Sequence, residues 1–109
     1  MQEYVMVMVT APSEEEANLI AEHLLDSRLA ACVNRVDEVR SEFWWQGAKK
    51  AAHETMLVIK TRASLLDSVV SAVKAKHSYS VPEVIAFPIL GGNPDYLEWI
   101  GQETGERQG

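Results

Sequence analysis

The chain has 109 residues and a net charge of −6, from 16 acidic against 10 basic side chains, which is a length for one domain and a charge that argues against general nucleic-acid binding. Its composition, 47% hydrophobic and 24% charged, is that of a globular protein with enough apolar material for a core. The single cysteine, Cys32, excludes an internal disulfide, and with no segment reaching the roughly 20 apolar residues of a membrane-spanning helix and no basic, apolar secretory signal the expected compartment is the cytoplasm.

The apolar run Val5 to Val9 predicts a first strand over residues 3–10; it is too short, and too acidic just before it, for a secretory signal. Ser13 with Glu16 reads as a capping box opening a helix. That helix carries Ala17, Ile20, Ala21, Leu24 and Leu25 on one stripe and ends near Ser27 or Arg28. A long extended segment follows over 31–45, with Val33, Val39, Phe43 and Trp45 at odd positions. It exceeds an ordinary strand, so a bend, a bulge or a protruding arm is expected. It ends in Trp44 and Trp45, whose side chains must point to opposite faces of a strand, so one ring needs cover outside the core.

Residues 46–53 are expected to turn the chain into a third strand over 54–60. Thr61 reads as the N-cap of a second helix that buries Leu65, Leu66, Val69, Val70 and Val73 and ends near Lys76 or His77. The fourth strand, 84–90, contains Pro88, which confines it to an edge or a bulge. Asn93 and Pro94 then start a last helix over 94–103, followed by a tail expected to fray from Thr104.

The element order is β-α-β-β-α-β plus a terminal helix, an α+β arrangement of the ferredoxin-like kind, with both helices on one face of an antiparallel sheet. The first and third strands are apolar at both parities, in Val5-Met6-Val7-Met8-Val9 and Met56-Leu57-Val58-Ile59. The uncovered face therefore wants burial as well, either against further copies of the sheet, in a homo-oligomer, or beneath the terminal helix.

Five stretches carry a resemblance: Leu29 to Asn34, Ser41 to Gly47, Glu54 with Ile59-Lys60-Thr61, His77 to Val84, and Asp95 to Trp99. In this order and spacing the chain resembles the divalent-cation tolerance protein CutA family over nearly its whole length. The resemblance implies compact homotrimers with packed sheets and strands extended between neighbours. It also implies a part in tolerance to divalent cations, copper above all; from the residues themselves no catalysis is expected. Two positions depart from the family pattern: Ser78 stands where His-Pro-Tyr is usual, and Ala48-Lys49 follow Gly47, which is expected to loosen the turn at His77 and to alter packing after Gly47.

At motif positions the chain offers Cys32, His77 and Glu83 as ligands for Cu(II) or another divalent cation, with Trp45, Glu54, Lys60 and Tyr79 expected to line the same cleft. No two of the three ligands have local metal-binding spacing, so only the fold or a subunit boundary can join them. A second reading is a signalling module resembling the nitrogen-regulatory PII family, binding a small anionic metabolite or nucleotide between subunits through Lys60 and Arg62. No glycine-rich phosphate loop accompanies it. Cys32 with His77 could make a nucleophile and base, but no third orienting group accompanies them.

Overall fold

The computed structural model describes residues 2–105. Its strands and helices are β1 (Tyr4–Ala11), α1 (Glu14–Asp26), β2 (Cys32–Trp45), β3 (Ala48–Arg62), α2 (Leu66–Lys76), β4 (Val84–Pro88) and α3 (Pro94–Glu103). The four strands form one antiparallel sheet in the order β2-β3-β1-β4, the ferredoxin-like topology expected from the element order. Alternation decides what each strand buries: Val5, Val7, Val9 and Ala11 of β1 and Leu57 and Ile59 of β3 face the helices. Ala17, Ile20 and Leu24 of α1 and Val69 and Val73 of α2 close the same core. Leu25, expected on the α1 stripe, sits at its edge and is exposed, while Leu65, Leu66 and Val70 of the α2 region are only half-buried.

Several boundaries differ from expectation, for physical reasons. Thr61 does not cap α2: it is a fully buried β3 residue, and the 3-10 turn Ala63–Leu65 leads into the helix instead. Among the described residues its hydroxyl is a buried polar atom without a hydrogen-bond partner. Replacing it with an isosteric methyl removes that penalty, so Thr61→Val should raise stability by about 1 kcal/mol in thermal unfolding. A melting temperature below wild type would contradict this.

The turn at the end of β2 is also shorter than expected. Only Gln46 and Gly47 form it, both with positive φ (50° and 81°), between the paired Trp45 and Ala48. This two-residue hairpin suits glycine at its second position. β3 therefore starts at Ala48, and residues 48–53 belong to an arm. The arm is exposed over most of its length, so no apolar alternation marked it in the sequence.

The expected bulge lies between Val36 and Val39, where Asp37 and Glu38 oppose a single β3 residue and Glu38 takes a φ of 60°. One extra residue reverses the alternation. Val33 faces the helices, whereas Val39, Phe43 and Trp45, of the same parity, turn to the opposite face. Trp44 points the other way and is 72% exposed.

α3 begins as expected, with the Asn93 side chain accepting from the Asp95 N–H at 3.1 Å. It crosses one end of the open face: Ile100 is fully buried and Gly101 lies against the Tyr4 ring. The chain beyond it is held rather than frayed through Gly105. Arg62 donates to the Thr104 hydroxyl (3.0 Å) and carbonyl (2.8 Å), and the Gly105 N–H donates to the Arg28 carbonyl at 2.7 Å. The rest of the expected tail, 106–109, lies outside the described residues. The helix covers only part of the face. Val36, Ile85 and Phe87 remain exposed, and Met6, Met8, Met56 and Val58 around them are half-buried.

Candidate functional site

The site grows from the end of α2. His77 leaves the helix with its ring fully buried and both nitrogens engaged. Nε2–H donates to the Thr10 carbonyl at 2.7 Å, and Nδ1 accepts the Tyr79 N–H at 3.0 Å; these partners assign the ring proton to Nε2. The Glu16 carboxylate lies 3.3 Å from Nδ1 and accepts the Ser78 N–H at 3.0 Å. Half of the expected capping box is thus realised, since the Ser13 hydroxyl accepts from the Glu16 N–H at 3.1 Å, while the Glu16 side chain serves the 77–79 turn. Ser78 supplies an N–H that a proline would lack, and this bond ties the turn to α1 where a looser turn was expected.

From His77 the chain passes round the end of β1 toward the open face. There the Tyr79 hydroxyl donates to Glu54 at 2.9 Å. Burial pushes the Tyr79 phenol up to about 12, and the neighbouring Glu54 carboxylate adds to the shift, so the hydroxyl stays a neutral donor. The 77–83 loop and the β2–β3 arm bound a cleft of about 720 Å³. Trp45, Glu54, Tyr79 and Glu83 line it, and the Glu83 carboxylate accepts a long hydrogen bond of 3.4 Å from the Thr10 hydroxyl. The bulge is what puts Trp45 on the same sheet face as Glu54, although its partner Ala48 stands six β3 residues, roughly 20 Å of strand, from Glu54.

Two sequence-derived residues stand elsewhere. Cys32 pairs with Lys60 on the sheet, and Lys60 with Met6, whereas Thr10 pairs with Met56. Those rows are four positions apart along β3, roughly 13 Å of strand. Around Cys32, its thiol donates weakly to the Asn34 side-chain oxygen at 3.9 Å, and the Lys60 ammonium donates to that same oxygen. Burial pushes the nearby Tyr96 phenol up, with Cys32 adding to it. Within the chain, then, His77 and Glu83 gather around Thr10 while Cys32 and Lys60 lie at the far end, because strand register fixes their separation. Among the described residues no three His, Cys, Asp or Glu side chains converge as a metal centre.

Sequence reasoning missed Thr10, Phe43, Lys50 and Val81 in the cleft lining and Glu16 behind it. Phe43 was legible from its spacing of two from Trp45; nothing local marked the others. The described lining includes Glu42, Glu54 and Glu83 against Lys50, and neither Lys60 nor Arg62, the cations of the PII-like reading, is among it.

A family model described as CutA1 divalent ion tolerance protein matches residues 5–103. Protein CutA 1, chloroplastic, of Oryza sativa is 48% identical over 94% of this chain, and the match spans only 58% of that relative's length. The divalent-cation tolerance protein CutA of Thermus thermophilus is 44% identical over 92% of this chain and 97% of its own length. The crystal structure of CutA1 from Oryza sativa superposes with a TM-score of 0.93 at 47% identity, covering 95% of each chain. That of the Thermus thermophilus protein gives 0.91 at 44% identity, covering 96% of this chain and 100% of the other. With the fold, the five motifs and these likenesses in agreement, the chain belongs to the CutA1 divalent ion tolerance family.

Proposed function

We propose that the chain works as a homotrimer that binds Cu(II) or a similar divalent cation at the boundary between copies, contributing to cation tolerance without turnover. The observation that carries this reading is the sheet face that α3 leaves uncovered, on which Val36, Ile85 and Phe87 stand exposed around half-buried methionines. A stable protein in water rarely leaves such a patch bare, and packing the same face of other copies is the simplest cover. Relatives from Thermus thermophilus and Archaeoglobus fulgidus are named divalent-cation tolerance proteins, which supports the role. We assign the work to the cytoplasm, where a lone thiol stays reduced, although relatives are named chloroplastic in rice and periplasmic in Archaeoglobus fulgidus.

Of the three ligands, Glu83 is the one exposed at the cleft. Cys32 would join it from a neighbouring copy, and His77 by releasing the Tyr79 N–H from Nδ1. Calorimetric titration of the wild type with Cu(II) should saturate, and the Cys32→Ala, Glu83→Gln double variant should bind at least about tenfold more weakly. Unchanged stoichiometry and affinity in that variant would remove these ligands from the account.

A further inference from the structure

Glu54 and Lys60 stand on the sheet face that α3 leaves partly uncovered, because Leu57 and Ile59 take the helix side of β3 and even-numbered residues point away from it. Glu54 is only 6% exposed, and among the described residues its carboxylate has one hydrogen bond, from the neutral Tyr79 hydroxyl. Lys60 is half-buried, and its ammonium donates to the neutral Asn34 amide oxygen. No ion pair among the described residues includes either. Each is half of a salt bridge, partly stripped of water and seated on a neutral group, which is unfavourable until an opposite charge arrives.

The two cannot meet within one chain. Six positions of β3 separate them, roughly 20 Å of strand and about twice the screening length at 0.1 M salt. Other cations of that face suit Glu54 less well: Arg62 is held by Thr104, and Lys50 is exposed to water on the arm. A second copy of the same face supplies what each charge lacks. Because carboxylate and ammonium lie at opposite ends of one strand, each copy can offer Glu54 to one neighbour and Lys60 to the other, the head-to-tail contact that closes as a ring. The same contact serves the shared cation site. Cys32 is the cross-strand partner of Lys60, and the Tyr79 that holds Glu54 belongs to the loop ending in Glu83.

We infer that Glu54 of each copy forms a buried ion pair with Lys60 of the next, and that this pair sets the register bringing Cys32 of one copy to Glu83 of another; the inference rests on the homotrimer proposed above. The test is a charge-swap cycle read by sedimentation equilibrium in about 0.15 M salt, with circular dichroism to check the fold of each variant. Glu54→Lys and Lys60→Glu should each raise the dissociation constant of the assembly at least about tenfold, and the double swap should recover most of that loss. Lys50→Glu, the control, should gain nothing from Glu54→Lys. If Glu54→Lys does not fold, Glu54→Gln and Lys60→Met take over the cycle: Lys60→Met strands the carboxylate, so adding Glu54→Gln should restore assembly. A double swap that assembles no better than the weaker single variant overturns the pairing. Additive losses in the milder cycle overturn it too, and so does rescue of Lys50→Glu by Glu54→Lys. A monomeric wild type removes trimer and pair together, whereas an assembled wild type without rescue removes the pair alone.

Discussion

His77→Ala is expected to lower stability by about 3 kcal/mol, since it leaves a buried carbonyl and a part-buried N–H without partners and opens a cavity. The ring is fully buried, and its two nitrogens hold the end of β1 through the Thr10 carbonyl and the loop through the Tyr79 N–H. At this chain length the loss corresponds to a fall in melting temperature on the order of 12–20 °C. His77→Gln, with a donor and an acceptor on one amide, should recover part of it. The comparison needs equal protein concentration, because the proposed assembly would add to apparent stability. If His77→Ala melted within about 2 °C of wild type in the absence of metal, the ring would not be the fastening described, and both nitrogens would be available to a cation.

The second large effect is expected from Ile85→Asp. Ile85 lies opposite Met8 on the edge strand β4, at the side of the uncovered face, and is 45% exposed in the single chain. On an isolated subunit the carboxylate would sit half in water and cost little. Buried between packed sheets without a partner, it would cost about 3–5 kcal/mol per copy, enough to dissociate the assembly at micromolar concentration while the fold survives. Circular dichroism should therefore remain that of a folded α+β protein as the sedimentation coefficient falls. A variant that stays assembled would place the subunit contact on another surface.

Much of the fold was legible because β1 and the core half of β3 carry their burial pattern openly, and because Ser13, Asn93 and Pro94 mark helix starts by capping chemistry. The same reading failed where burial is low. Residues 48–53 form an exposed arm and show no periodicity, and a one-residue bulge at Asp37-Glu38 turned the odd positions of β2 to the other face. Glu16 looked like half of a capping box because its spacing from Ser13 is right, yet its carboxylate reaches a turn 62 residues away. The motif residues were visible one by one, but their grouping was not. That grouping depends on strand register, which carries Cys32 and Lys60 away from the 77–83 loop, and on that loop crossing from the helix layer to the open face.

Subunit assembly is tested most directly by sedimentation equilibrium of the unmodified chain at micromolar concentration. A sheet with one apolar face left open should be found at three times the 12.1 kDa of a single chain, with no monomer. A well-folded species at 12.1 kDa would mean that the exposed Val36, Ile85 and Phe87 tolerate water, and the shared cation site would lose its basis.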